Sequence, residues 1–137
     1  MIRQFPTPLE PGADSHSDPW TTKLWDGLLT DSIRRGRDCI EVLPPDSRRM
    51  FTIRGHGPNG WEDIMVPIGK MHGAFLRRLK VMAGFGLVRP SPAEHGQFHF
   101  SDRDRVYEVD VTVTAGPDGA ETAVVRLPTQ PVQESAQ

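Results

Sequence analysis

The sequence predicts an α+β two-layer sandwich: an antiparallel sheet carrying two helices on one face, in the order α-β-β-β-α-β-β-β. Three observations lead there. Two stretches repeat apolar residues at helical spacing. One stretch alternates strictly, with Tyr107, Val109, Val111 and Val113 set between Glu108, Asp110, Thr112 and Thr114. The remaining β-prone runs follow one another with only turn residues between them, which favours antiparallel neighbours.

The first helix is expected over 19–35. Asp18 is a good N-cap and Pro19 suits the first helical position. Leu24, Trp25, Leu28, Leu29 and Ile33 make the apolar stripe, Arg34 and Arg35 fall in the last turn, and Gly36 ends it. A meander follows: DCIEVL (38–43), a Pro-Pro-Asp-Ser turn, MFTIR (50–54), the loop GHGPNG (55–60) and WEDIMV (61–66). Ile68, Met71, Phe75, Leu79 and Met82 then mark a second helix over roughly 68–83. A loop over 84–97 precedes QFHF (97–100), the alternating strand, the turn AGPDG (115–119) and TAVVRL (122–127). Residues 1–17 hold Pro6, Pro8 and Pro11 among polar residues and read as an extended or disordered lead-in, and 128–137 read as a disordered tail. One domain over 18–127 remains.

Composition narrows the function. A formal charge of −2 offers no electrostatic case for nucleic acid or anionic lipid. Cys39, the single cysteine, cannot form an internal disulfide, and no apolar run reaches the ~20 residues a bilayer span requires. A cytoplasmic protein without membrane insertion is expected.

Motifs that resemble catalytic signatures lack their context. GHGPNG has the G-x-G-x-x-G spacing, but a strand follows where a nucleotide loop needs a helix N-terminus, so a hairpin is the better account. Gly69-Lys70 has no earlier glycine at P-loop spacing, and Met71 stands where Mg²⁺ would need a hydroxyl. His95 and His99 span a loop and a strand, short of the convergent ligands that zinc requires. Cys39 reads as a small buried residue, and no nucleophile elbow is present. No catalytic residue, metal or cofactor is assigned. What remains is a candidate interaction or ligand surface. It comprises Arg34, Arg35 and Arg37 after the first helix, Arg77, Arg78 and Lys80 on the second, and Glu94, His95, Gly96 and Gln97 in the loop.

Several stretches together resemble a known module: LLTDSIRRGRDCIEV (28–42), MFTIRG (50–55), RLKVMAGFGLVRPSPAEHGQF (78–98), VDVTV (109–113) and GAETAVVRL (119–127). Their order and spacing are similar to the domain that precedes the motor in type II secretion and type IV pilus assembly ATPases. That family carries Ala-Ser-Asp-Ile-His-Ile-Glu-Pro, Arg-x-Arg-x-Asp-Gly, R-[IL]-K-V-M-A-G/N, P-Q-D-G-R and G-E-x-x-V-x-R-L in turn. The resemblance implies a PAS-like antiparallel sheet that packs beside a RecA-like motor in a hexamer, with arginines that help hold ATP. Arg78, Lys80, Gly96, Glu121 and Arg126 keep the pattern. Met50, Thr52 and Arg54 replace both arginines and the aspartate of the second motif, Ile40 replaces the histidine of the first, and Gln97 replaces the arginine of the fourth. The motor motifs are absent from this sequence.

Together these readings predict a non-catalytic protein-interaction or regulatory module. Its partner would be a secretion or pilus ATPase or another component of that bacterial machinery. The alternative is a PAS-like sensor of a small ligand or nucleotide, using the basic cluster and the 84–97 loop.

Overall fold

The computed structural model describes residues 19–85 and 93–134; the expected lead-in lies outside them. The order is α1 (Pro19–Arg34), β1 (Cys39–Val42), β2 (Ile53–Gly57), β3 (Gly60–Met65), a 3-10 turn (Gly69–Met71) and α2 (His72–Met82). β4 (Ala93–Asp102), β5 (Arg105–Ala115), β6 (Glu121–Arg126) and β7 (Gln133–Glu134) follow. This is the expected α+β architecture. The strands lie in the order β3-β2-β1-β6-β5-β4, each antiparallel to its neighbour, and β7 pairs with β5.

Both helices cover one face of the sheet. Trp25, Leu28 and Leu29 of α1 and Phe75, Leu76 and Leu79 of α2 share a core with Ile40, Val42, Ile53, Val109, Val111, Val113 and Val125. The helices are locked by one contact in particular. The Trp25 and Phe75 rings stack with centroids 4.2 Å apart and planes 7° apart, and Trp25 Nε1 donates to the Phe75 carbonyl at 2.9 Å.

Each helix ends on a left-handed glycine. Gly36 has φ +75°, and the Arg37 N–H then caps the Ser32 carbonyl at 2.9 Å. Gly84 has φ +77°, and the Phe85 N–H bonds the Lys80 carbonyl at 2.9 Å, which returns Phe85 to the sheet.

Several expected boundaries change. The strand expected over 50–54 lies at Ile53–Gly57, and Met50 makes only a single bridge to Ile68. Four of the six residues of the expected GHGPNG loop are therefore strand. Gly57 pairs with Gly60 (φ +91°) and the turn shrinks to Pro58-Asn59. Gly55 belongs in that strand because the Arg37 side chain crosses it; a Cβ there would come within 2.7 Å of Arg37 Cδ.

The second correction concerns β4, which begins at Ala93 rather than at 97. Glu94, His95, Gly96 and Gln97 are thus strand residues and not loop. Gly96 reads as a loop signal in the sequence, but here it answers a close approach: a Cβ would stand 2.5 Å from the Ala83 carbonyl oxygen and 2.6 Å from the Phe85 ring. The part of the expected loop over 86–92 lies outside the described residues.

The third correction is at the C-terminal end. Within the tail expected to be disordered, Gln133–Glu134 forms β7 and the Val132 N–H donates to the Val106 carbonyl at 2.7 Å; 135–137 lie outside the described residues. The second helix also starts later than expected, at His72, because Gly69–Met71 makes a tighter 3-10 turn.

Candidate functional site

The ten candidate residues do not form one surface. The three arginines after α1 reach apart and act as braces. Arg34 holds Asp102, at the end of β4, with a two-pronged pair at 2.7 and 3.1 Å. The Asp102 side chain is only 9% exposed, and the Arg34 hydrogen bond holds its carboxyl below the usual carboxylate range. Arg35 pairs with Asp31 one turn earlier at 2.8 Å, and this bond is the main reason the Asp31 carboxyl is also lowered.

Arg37 turns the other way. Its side chain is 7% exposed and donates to Asp31 at 3.1 Å, Ser32 Oγ at 3.2 Å and Glu62 of β3 at 2.8 Å. β3 and β4 are opposite ends of the six-strand order. The end of α1 is therefore tied towards both sides of the sheet.

On α2 the candidates diverge again. Lys80 bonds Glu121 of β6 at 2.7 Å, with both side chains largely covered. Arg77 is exposed. Arg78 is half-buried beside a groove of about 240 Å³, whose apolar walls are Leu29, Met82, Phe98 and Phe100.

The β4 candidates split by the alternation of the strand. Gly96 faces the helices, as its contacts with Ala83 and Phe85 require. His95 and Gln97 face the open side. Gln97 Nε2 donates to Asp110 at 2.8 Å, and His95 Nε2 stands 3.5 Å from the same carboxylate. His99 shares this face, 4.0 Å from Glu108.

Sequence reasoning missed the rest of that open face. His56 Nδ1 lies 2.8 Å from Asp38, and Arg54 Nε donates to Glu41 at 2.6 Å across the β1–β2 register. Trp61, 47% exposed, sits beneath the Arg54 guanidinium at 4.7 Å and meets the His56 ring edge at 5.1 Å. The alternation of Arg54 and His56 about Gly55 is the signal that could have found them, once the strand was extended past Gly55.

Cys39 is buried between these rows, and burial pushes its thiol pKa up, away from the reactive thiolate. A larger cleft of about 630 Å³ opens between the α1 end and the β4–β5 turn, but its wall includes the mutually bonded Arg34 and Asp102. Among the described residues no helix is long and apolar enough to cross a membrane.

No family model matches the chain, and no curated relative does. The geometry offers basic residues bonded within the fold, an apolar groove beside β4, and an open sheet face bearing paired histidines and carboxylates.

Proposed function

We propose that the chain is a non-catalytic interaction module related to the N-terminal domain of type II secretion and type IV pilus ATPases. Its partner is a component of such machinery. The observation that carries this reading is the Lys80–Glu121 pair at 2.7 Å. Lys80 belongs to the RLKVMAG stretch and Glu121 to GAETAVVRL, two stretches of the resembled pattern that lie 41 residues apart and meet in space. Gly96, a third retained position, is needed where the α2 end approaches β4. The retained positions thus have jobs in holding this fold, which a chance likeness would not require.

The lost positions support the absence of nucleotide chemistry. Gln97, in place of the family's arginine, bonds Asp110 on the open face, and Arg54, in place of its aspartate, bonds Glu41. Arg34, Arg35, Arg37 and Lys80 all bond carboxylates within the chain. These internal bonds favour recognition through a protein surface.

The test is affinity capture from a bacterial lysate with cross-linking, followed by mass spectrometry. Enrichment of a secretion or pilus assembly protein over a tag-only control is the expected result. Recovery of none would count against the reading.

A further inference from the structure

We propose that two copies of this chain pair through β4, antiparallel about a two-fold axis at Gln97, so that the sheet continues from one subunit into the other. The contact needs no secretion partner and stands or falls independently of the function proposed above.

β4 is a long edge that no other strand covers among the described residues. Among the described residues it pairs only with β5, in ten consecutive register pairs from Ala93↔Thr114 to Asp102↔Arg105. It contains no proline, no lysine and no bulge, the devices by which natural proteins blunt edges.

The phase of the ladder shows which backbone groups are turned outwards. Arg103 and Asp104 form a two-residue turn, so the closing pair Asp102–Arg105 exchanges hydrogen bonds, and every second pair does the same. The Val106 carbonyl confirms the phase, because it accepts from Val132 on the side of β5 away from β4. His95, Gln97, His99 and Ser101 therefore turn their N–H and C=O groups to the open edge. With Ala93 this set is symmetric about Gln97: residue 95 meets 99, 93 meets 101, and 97 meets its own copy.

Side chains suit that register. On the helix side half-buried Phe98 falls opposite Gly96 of the other copy, beside the Phe85 ring that already packs on that glycine. The groove bounded by Leu29, Met82, Phe98 and Phe100 runs beside this edge and extends the same apolar layer. On the open side His95 meets His99 of the other copy, and each histidine has a carboxylate beside it, Asp110 at 3.5 Å and Glu108 at 4.0 Å.

The opposite edge does not compete. β3 bears exposed Glu62 and Asp63, and its partner strand carries a register shift at Ile53/Arg54. Among the described residues β4 is the edge left open, so the contact is isologous and closes as a dimer instead of growing as a fibre.

The test is sedimentation equilibrium of the full chain from low to high micromolar concentration, with two variants. His99→Pro removes one outward N–H and leaves the bonds to β5 in place. Gln97→Lys sets like charges against each other on the axis. We expect a wild-type dimer and at least a tenfold rise in its dissociation constant in both variants, with circular dichroism unchanged. A wild-type monomer throughout the range would overturn the proposal, as would a dimer that Gln97→Lys leaves intact. A monomer whose His95, Gln97, His99 and Ser101 amides resist hydrogen exchange would equally overturn it, because the chain would then cover its own edge.

Discussion

Lys80 Nζ and Glu121 Oε2 stand 2.7 Å apart, joining the last turn of α2 to the first residue of β6. The side chains are 12% and 24% exposed, so solvent screens the pair less than an ordinary surface bridge. Removing one partner leaves a poorly solvated charge behind. Glu121→Gln is therefore expected to cost about 1–3 kcal/mol in urea unfolding. Adding Lys80→Met to that variant should recover part of the loss, and a double-mutant cycle with no coupling would show that the pair does not hold α2 to the sheet.

Gly96 tests the close approach of α2 to β4. The nearest neighbour of an added Cβ is a backbone carbonyl, at 2.5 Å, which cannot rotate away as a side-chain tip can. Gly96→Ala is expected to destabilise by about 1–3 kcal/mol, despite the usual preference of strands for alanine over glycine. Gly73→Ala on the exposed face of α2, where an added Cβ meets nothing within 4 Å, is the matched control and should be neutral or stabilising. Equal effects in a thermal melt would contradict the packing account.

His72 supplies a pH dependence. It is buried against the Phe51 ring (5.0 Å, edge-on), and burial is the main cause that lowers its pKa below the ordinary value of 6.5. As pH falls through 6.5 the unfolded chain takes up a proton that the folded chain refuses. The stability contributed by neutral His72 is thus present above 6.5 and lost as pH falls towards the folded pKa. Asp31, Asp46 and Asp102, lowered below 3.8 mainly by their arginine partners, add a loss of the same sign at more acid pH. The urea midpoint should drop between about pH 7.5 and 5.5 in the wild type, and His72→Gln should flatten that slope. A slope unchanged by the substitution would remove His72 from the account.

Much of the fold was legible because its signals are local. Pro19, the apolar stripe from Leu24 to Ile33, and the alternation from Tyr107 to Val113 each declare an element within a few residues, while the expected Asp18 cap lies outside the described residues. The first four residues of β4 were not legible, because Gly96 is a turn signal until Phe85 and the Ala83 carbonyl are seen against it. Gly55 concealed part of β2 in the same way, since only the fold brings Arg37 across it.

The arginines misled for a related reason. Asp31 and Arg35 are visibly one turn apart, but Asp102 and Glu62, the partners of Arg34 and Arg37, lie 68 and 25 residues away. A charge run reads as a surface until its counter-charges are placed. Only the Arg37 side chain proves to be truly buried among the three.

That commitment of the cations to internal partners is most directly measured by titration calorimetry of the full chain against ATP, ADP and cyclic dinucleotides. With Arg34, Arg35, Arg37 and Lys80 bonded to carboxylates, no saturable heat is expected from any of them. Saturable micromolar binding that is lost in Arg34→Gln or Lys80→Gln would contradict the account and make the domain a nucleotide sensor.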